Sequence, residues 1–376
     1  IRDGAFMWLV DLPPGWFADM KQHGLDAIQY FTWEWEMVDH EQDRSAWSWD
    51  PSTIKIANRD GRLEMDFQAL DRVAEGMQAA GMDGPLVVSL GNDHFLHYEC
   101  ALARAFGLKV DTSAVMDGKA IIAPEVSPKL DQLFAEGLKM LHEHWDSKGF
   151  TQELVILIYD EPTERLLDRC KNRYDLLKKT IPGTRVYGVV MNRREWAEQM
   201  ADQCDVIVSN GDFEGCREVA EKYGKDFWVY SFPLQAVHTS RWDMGFLPWR
   251  VGAGGAFFWM YNYWFYSPDY CAVYPLPSDP NRVVSSTGWA GVREGVDDLR
   301  YLATLDKAIQ SAPPEKQTSA REGLAAIRDL IDPEQRAPAA SGEAQDEVSR
   351  LAHFNEPQRL RGLVIEMILD LREQAK

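Results

Sequence analysis

The chain has no uninterrupted apolar run near the roughly 18 residues that span a bilayer, which excludes a membrane helix. It is poor in cysteine. Cys100, Cys170, Cys204, Cys216 and Cys271 are scattered, odd in number and without a CxxC pair, which argues against a disulfide scaffold or a structural zinc site. Positive charge is also short, with 40 lysines and arginines against 59 acids and a formal net charge of −19. That balance repels phosphate backbones and anionic headgroups, so nucleic acid is not expected as a partner. No serine stands in a GxSxG elbow, which leaves a hydrolase triad without its nucleophile. Gly252, Gly254 and Gly255 precede a strand pattern, whereas a phosphate-cradling loop follows one, so no nucleotide site is indicated. His94 and His97, with Glu99 nearby, have a spacing that could hold a metal on a helix, but no third ligand is in view. His142 and His144 lie two apart on a helical pattern and face different directions, as surface residues do. No metal and no cofactor are expected.

What is present is a 376-residue chain, 45% hydrophobic and 26% charged, enough to bury a large core. Its aromatic content is high, with 14 tryptophans, 13 tyrosines and 16 phenylalanines. Trp33, Trp35, Trp47 and Trp49 share one polar stretch, and Trp259 and Trp264 end an apolar run. Core packing accounts for some of these rings; flat rings in loops also suit the C–H faces of sugars.

Short apolar segments alternate with helical periodicity through most of the sequence. The pattern predicts strands at Phe6–Val10, Ala27–Phe31, Leu86–Leu90, Leu154–Tyr159, Arg185–Val190, Asp205–Ser209, Phe227–Ser231 and Ala256–Met260. Most are continuous apolar runs, as parallel strands covered on both faces should be. Between them, Phe67, Leu70, Val73, Ala74 and Met77 form one helical stripe, and Leu130, Leu133, Phe134, Leu138, Leu141 and Trp145 another. Eight such units in order predict a closed (β/α)8 barrel over residues 1–310, with an open doubly wound sheet as the alternative. The connections after Phe31, Leu90 and Met260 run to about 30 residues, far beyond the usual length, and belong on the C-terminal face of a barrel. Gly288–Gln310 reads as the closing helix. Breaks at Ser311–Glu315 and Asp332–Gly342 then set off a small helical appendage, residues 311–376, whose last helix carries Leu360, Leu363, Val364, Met367, Ile368 and Leu371 on one face.

The strongest strand signal, Leu154 to Tyr159, ends in Asp160-Glu161-Pro162. Neighbouring side chains in a strand point to opposite faces, but at its last residues the pleat ends and both acids can turn to the barrel mouth. Pro162 enforces that ending and restricts Glu161 to extended geometry. Two such carboxylates suit glycoside hydrolysis, which needs a proton donor and a second carboxylate in fixed relation. The seventh strand, where a separate nucleophile would be natural, ends without an acid. That fits the substrate-assisted exception, in which the sugar's own 2-acetamido group attacks the anomeric carbon, one carboxylate stabilises its nitrogen and the other protonates the leaving oxygen. The plain alternative is that the acids cap a helix N-terminus.

The Tyr159-Asp160-Glu161-Pro162 strand end resembles the catalytic barrel of glycoside hydrolase family 123, the β-N-acetylgalactosaminidases. So do the run Asp66-Phe67-Gln68-Ala69-Leu70-Asp71, the strand from Gly254 to Trp259 leading to Asn262 and Trp264, and Arg293-Glu294-Gly295-Val296-Asp297-Asp298 with Tyr301-Leu302. The resemblance covers most of Phe6 to about Leu305, and its closing-helix pattern is shared by uncharacterised relatives of that domain. It implies that Asp160 stabilises the acetamido group, that Glu161 is the general acid/base, and that the substrate is a terminal β-linked N-acetylhexosamine. Family members also carry an N-terminal β-sandwich, whereas this sequence starts at the barrel; trimming and true absence are both open. Ile1 is not an initiator methionine, so a targeting segment could have been removed, and a secreted or periplasmic setting is slightly favoured.

Around the acid pair, Tyr159, Asn210, Tyr230, Arg241, Trp259, Asn262 and Trp264 fall at or after strand ends and are the expected substrate-binding residues. Barrel packing is the competing role for each, and Trp242, next to Arg241, shares that ambiguity. A two-carboxylate mechanism on a different sugar would draw its second acid from Glu34, Glu36, Asp212 or Asp243. A non-catalytic carbohydrate-binding barrel is the remaining alternative.

Overall fold

The computed structural model describes residues 2–7, 12–31, 54–91, 97–108, 128–162, 166–190, 193–231, 237–262, 271–331, 333 and 347–373. Eight parallel strands close into a barrel: β1 (Arg2–Met7), β2 (Ala27–Phe31), β3 (Leu86–Ser89), β4 (Leu154–Leu157), β5 (Arg185–Val190), β6 (Val206–Ser209), β7 (Asp226–Ser231) and β8 (Gly255–Phe258). Each pairs in parallel with its sequence neighbours, and β1 closes the ring against β8 through Arg2–Gly255 to Ala5–Phe258. The order of the expected strands holds, with shifted ends. β1 begins at Arg2 rather than Phe6, because backbone pairing with β2 and β8 recruits the polar Arg2-Asp3-Gly4, which hydrophobicity alone passes over. β4 stops at Leu157, two residues before the expected end.

Burial on both faces explains the continuous apolar strands. Val87, Val155, Leu157, Tyr187, Val206, Val208, Trp228, Tyr230 and Phe257 fill the inside of the ring. Ile28, Val88, Ile156, Val186, Ile207, Val229 and Phe258 face the helices. The interior is a packed core rather than a pore, as barrels of this size require. The expected stripes on helices Gln68–Ala79 and Pro128–Lys148 are all buried.

The long connections carry structure of their own. Within the one after β2, Lys55–Arg59 and Arg62–Asp66 form an antiparallel hairpin. The one after β3 holds the helix His97–Ala105, and the one after β8 a short hairpin of Val273–Pro275 with Val283–Ser285. His144 is not the simple surface residue expected: its Nε2 lies 2.6 Å from Asp71 and its ring stacks on Phe67. No described helix is long and apolar enough to cross a membrane.

The closing helix, Thr287–Ser311, is capped by Ser286, whose hydroxyl accepts from the Trp289 N–H. It crosses Val237–Met244 so closely that a Cβ on Gly295 would stand 2.6 Å from the Arg241 carbonyl oxygen. Three residues on, the fully buried Asp298 accepts from Arg241 Nε (2.6 Å) and Nη2 (2.9 Å), and from Arg361 of the C-terminal helix Glu347–Glu373. Arg241 also donates to Gln358 and the Pro357 carbonyl, so this expected sugar-binding residue instead bolts three helices together. Phe246, Leu302, Leu305, Ile309, Ile327, Leu360, Val364 and Ile368 form a separate apolar cluster beside it. Removing one partner of such an ion pair leaves a buried charge uncompensated, so Asp298→Ala is expected to lose about 3–5 kcal/mol in denaturant unfolding. A loss below about 1 kcal/mol would show the network to be dispensable.

Candidate active site

The expected acid pair stands at the rim of the barrel. The end of β4 is tied to that of β3: the Leu90 N–H donates to the Leu157 carbonyl (2.8 Å) and the Asp160 N–H to the Gly91 carbonyl (3.0 Å). The Ser89 hydroxyl donates to the same Gly91 oxygen (3.1 Å). Asp160 and Glu161 are each half-buried, between the packed interior and solvent.

Glu161 does not adopt the extended conformation expected of a residue before proline. Its φ is +46°, in the left-handed region that costs a non-glycine residue on the order of 1 kcal/mol. In that conformation Glu161 Oε1 accepts from Asn210 Nδ2 (3.2 Å), just past the end of β6. Asn210 Nδ2 also donates to the Tyr230 hydroxyl on β7 (2.7 Å). Glu161, Asn210 and Tyr230 thus form one hydrogen-bonded chain that links the ends of β4 and β6 to β7. On the other side, the charge of Asp160 reaches Tyr187 inside the barrel, where burial first and Asp160 second push the phenol's ionisation well above its usual range.

Below the acids lies an aromatic floor. Trp228 and Phe257 stack with centroids 5.6 Å apart, and Tyr187 meets them edge-on at 5.6 and 5.7 Å. Trp259 packs against this inner cluster from the end of β8, and the buried Asn262 follows it. Trp264 lies outside the described residues, as do Trp33, Trp35, Trp47, Trp49, Glu34, Glu36 and His94.

Tyr159 is placed elsewhere than expected. Its ring is on the outer face of the sheet, and its hydroxyl donates to Glu99 on the helix His97–Ala105. Glu99 is itself fully buried, accepting from Arg173 Nε (2.9 Å) and Nη2 (3.1 Å) and from Arg169. These cations hold the Glu99 carboxyl below its ordinary range against a desolvation that pushes the other way. Glu99 is therefore an ion-pair partner rather than a companion of His97 at a metal. Among the described residues no three His, Cys, Asp or Glu side chains gather as a metal site. Asp212 is engaged at a helix start, where its Oδ2 accepts from the Arg194 N–H (3.0 Å), and Asp243 is buried within Val237–Met244.

A family model for the glycoside hydrolase 123 catalytic domain matches residues 16–305, well over half of the chain. The chain belongs to glycoside hydrolase family 123. Among solved structures, a family 123 glycoside hydrolase from Clostridium perfringens superposes with a TM-score of 0.70 at 14% identity, covering 96% of this chain. This chain spans 65% of that enzyme's length. A family 5 mannosidase from Rhizomucor miehei gives 0.51 at 12% identity, over 79% of this chain and 93% of its own. At these identities the likenesses show a shared barrel. No curated protein sequence matches. Residues 16–305 thus carry the catalytic domain of that family.

Three polar side chains hold settings that their sequence context did not suggest. Tyr187 sits in a strand that hydrophobicity identifies, yet its hydroxyl is buried with no hydrogen-bond partner among the described residues. Gln29, inside β2, has both amide atoms buried in the same condition. Glu99 had a usable signal: Arg169 and Arg173 stand four apart on one helix, a fork for a buried acid.

Proposed function

We propose that this chain is a retaining, substrate-assisted exo-β-N-acetylhexosaminidase acting on terminal β-linked N-acetylgalactosamine. The observation that carries this reading is the adjacency of Asp160 and Glu161 at the barrel rim, one felt by Tyr187 inside the ring and the other bonded to Asn210 across it. Vicinal carboxylates cannot flank a sugar ring from opposite faces, as acid and nucleophile do in the ordinary retaining arrangement. They can serve the acetamido nitrogen and the glycosidic oxygen, which are carried on neighbouring ring carbons.

In the first step the acetamido oxygen attacks the anomeric carbon while Glu161 gives its proton to the leaving oxygen. Asp160 stays ionised and stabilises the positive charge that gathers on the acetamido nitrogen. In the second step Glu161 takes a proton from the water that opens the cyclic intermediate. Asn210 steadies Glu161 through its Nδ2, and Tyr230 holds Asn210 in turn. Trp259 and Asn262 supply a flat apolar face and an amide at the same rim for the sugar, and Trp264 is assigned with them from its place in the sequence. The scheme uses no cofactor. The Clostridium perfringens relative is described as hydrolysing glycolipid glycans, and a chain-terminal sugar on such a glycan is a reasonable natural target here.

A panel of 4-nitrophenyl glycosides tests the reading. The β-N-acetylgalactosaminide is expected to be cleaved at least about 100-fold faster than the plain β-galactoside, with inhibition by a thiazoline mimic of the cyclic intermediate. Equal rates on the two sugars would overturn the substrate-assisted scheme.

A further inference from the structure

Along β4 the side chains alternate as a strand demands: Val155 and Leu157 point into the barrel, Ile156 and Ile158 toward the helices. Continued alternation would send Tyr159 inward, Asp160 outward and Glu161 inward, so only one carboxylate would serve the mouth. The strand does not continue that way. Tyr159 lies outward beside Ile158, two successive residues on the same face, as at a bulge. Asp160 then takes the inward place, and the left-handed turn at Glu161 carries the second acid to the same rim.

What holds Tyr159 outward is on the page. Its hydroxyl donates to Glu99, which Arg169 and Arg173 grip through four nitrogen contacts. Arg173 is anchored further by Asp131 (2.6 Å) and lies over the Phe134 ring, its guanidinium carbon 4.7 Å from the centroid. The helix bearing Glu99 is fixed to the end of β3 by the Tyr98 N–H donating to the Leu90 carbonyl (3.0 Å). The anchor therefore belongs to the connection after β3 and to the helix Leu167–Thr180 after β4, not to the strand it constrains.

We propose that Glu99 is a positioning residue: by holding the Tyr159 hydroxyl on the outer face of the sheet, it fixes the one-residue slip that brings Asp160 and Glu161 together at the barrel mouth. The inference rests on the proposed catalytic roles of those two acids. It makes Glu99, on the helix after β3, part of the catalytic apparatus without contact with sugar.

Tyr159→Phe is the decisive variant, because the ring keeps its packing and Glu99 keeps its arginine donors, so the fold is retained. Its melting midpoint is expected within about 3 °C of the parent. Turnover of an alkyl glycoside with a poor leaving group is expected to fall roughly tenfold, with KM changed by less than about twofold. The loss is expected with alkyl and 4-nitrophenyl leaving groups alike, together with weaker binding of the thiazoline mimic, since restored alternation turns Asp160 outward and leaves Glu161 inward. Glu99→Gln should act in the same direction, and where it folds, the double variant should be no slower than Glu99→Gln alone. Unchanged turnover of Tyr159→Phe overturns the proposal. So does a fall in turnover with thiazoline affinity unchanged, which is what a merely reduced folded fraction would produce. Glu161→Gln is assayed alongside: if it keeps full activity, the reading of the acid pair has failed, whereas an inactive Glu161→Gln with a fully active Tyr159→Phe sinks the positioning role alone.

Discussion

Glu161→Gln is expected to lower turnover of unactivated N-acetylgalactosaminides by roughly 10²–10⁴-fold, the range for loss of a general acid. The substitution is clean because of the local geometry. Asn210 donates to Oε1 of Glu161, and a glutamine oxygen in the same place still accepts that bond, so the side chain keeps its position while losing its proton. The deficit should therefore track the leaving group. An alkyl alcohol needs the proton and suffers fully; an acidic phenol leaves without it and suffers little in the first step. With such phenols the second step, in which Glu161 activates water, becomes limiting, and the cyclic intermediate should accumulate as a burst. A flat dependence on leaving-group acidity, with no burst, would remove Glu161 from the role of acid/base.

The second large effect is expected from Asp160→Asn. Here activated and unactivated substrates alike should slow by roughly 10²–10³-fold, the scale for loss of one preorganised electrostatic group. The step that suffers is closure of the acetamido oxygen onto the anomeric carbon, and no leaving group relieves it. The amide is nearly the size of the carboxylate and keeps the Asp160 backbone bond to Gly91, so the loss reports charge rather than shape. Binding of the thiazoline mimic should weaken in parallel, because a positively charged ring then faces a neutral amide. Full-rate turnover by Asp160→Asn would discard substrate assistance altogether and return attention to a second, distant carboxylate.

The contrast between the two variants is the sharper test, since each has a different substrate dependence at neighbouring positions. Ordinary structural damage at the strand end would slow every substrate by one common factor in both variants.

Much of this was legible in the order of residues. Continuous apolar strands report burial on both faces, so eight of them alternating with amphipathic helices leave little besides a closed barrel. The acid pair after Leu154 to Tyr159 was legible for the same reason: a strong strand signal that stops at two carboxylates and a proline marks a rim. Other features depend on partners far away in the chain. Tyr159 and Arg241 both read as rim residues from their distance to a strand end, yet one is turned outward by Glu99, sixty residues earlier, and the other is held by Asp298, fifty-seven residues later. Glu161 read as extended from its proline and is left-handed.

Local periodicity and composition thus determined the barrel, its chain order and the place of the two acids, because burial and pleating act over a few neighbouring residues. Only the tertiary structure decided which way each side chain at the rim points. That direction is set by hydrogen bonds to buried charges on other elements, and a buried carboxylate selects its donors by position in space, not by distance along the chain.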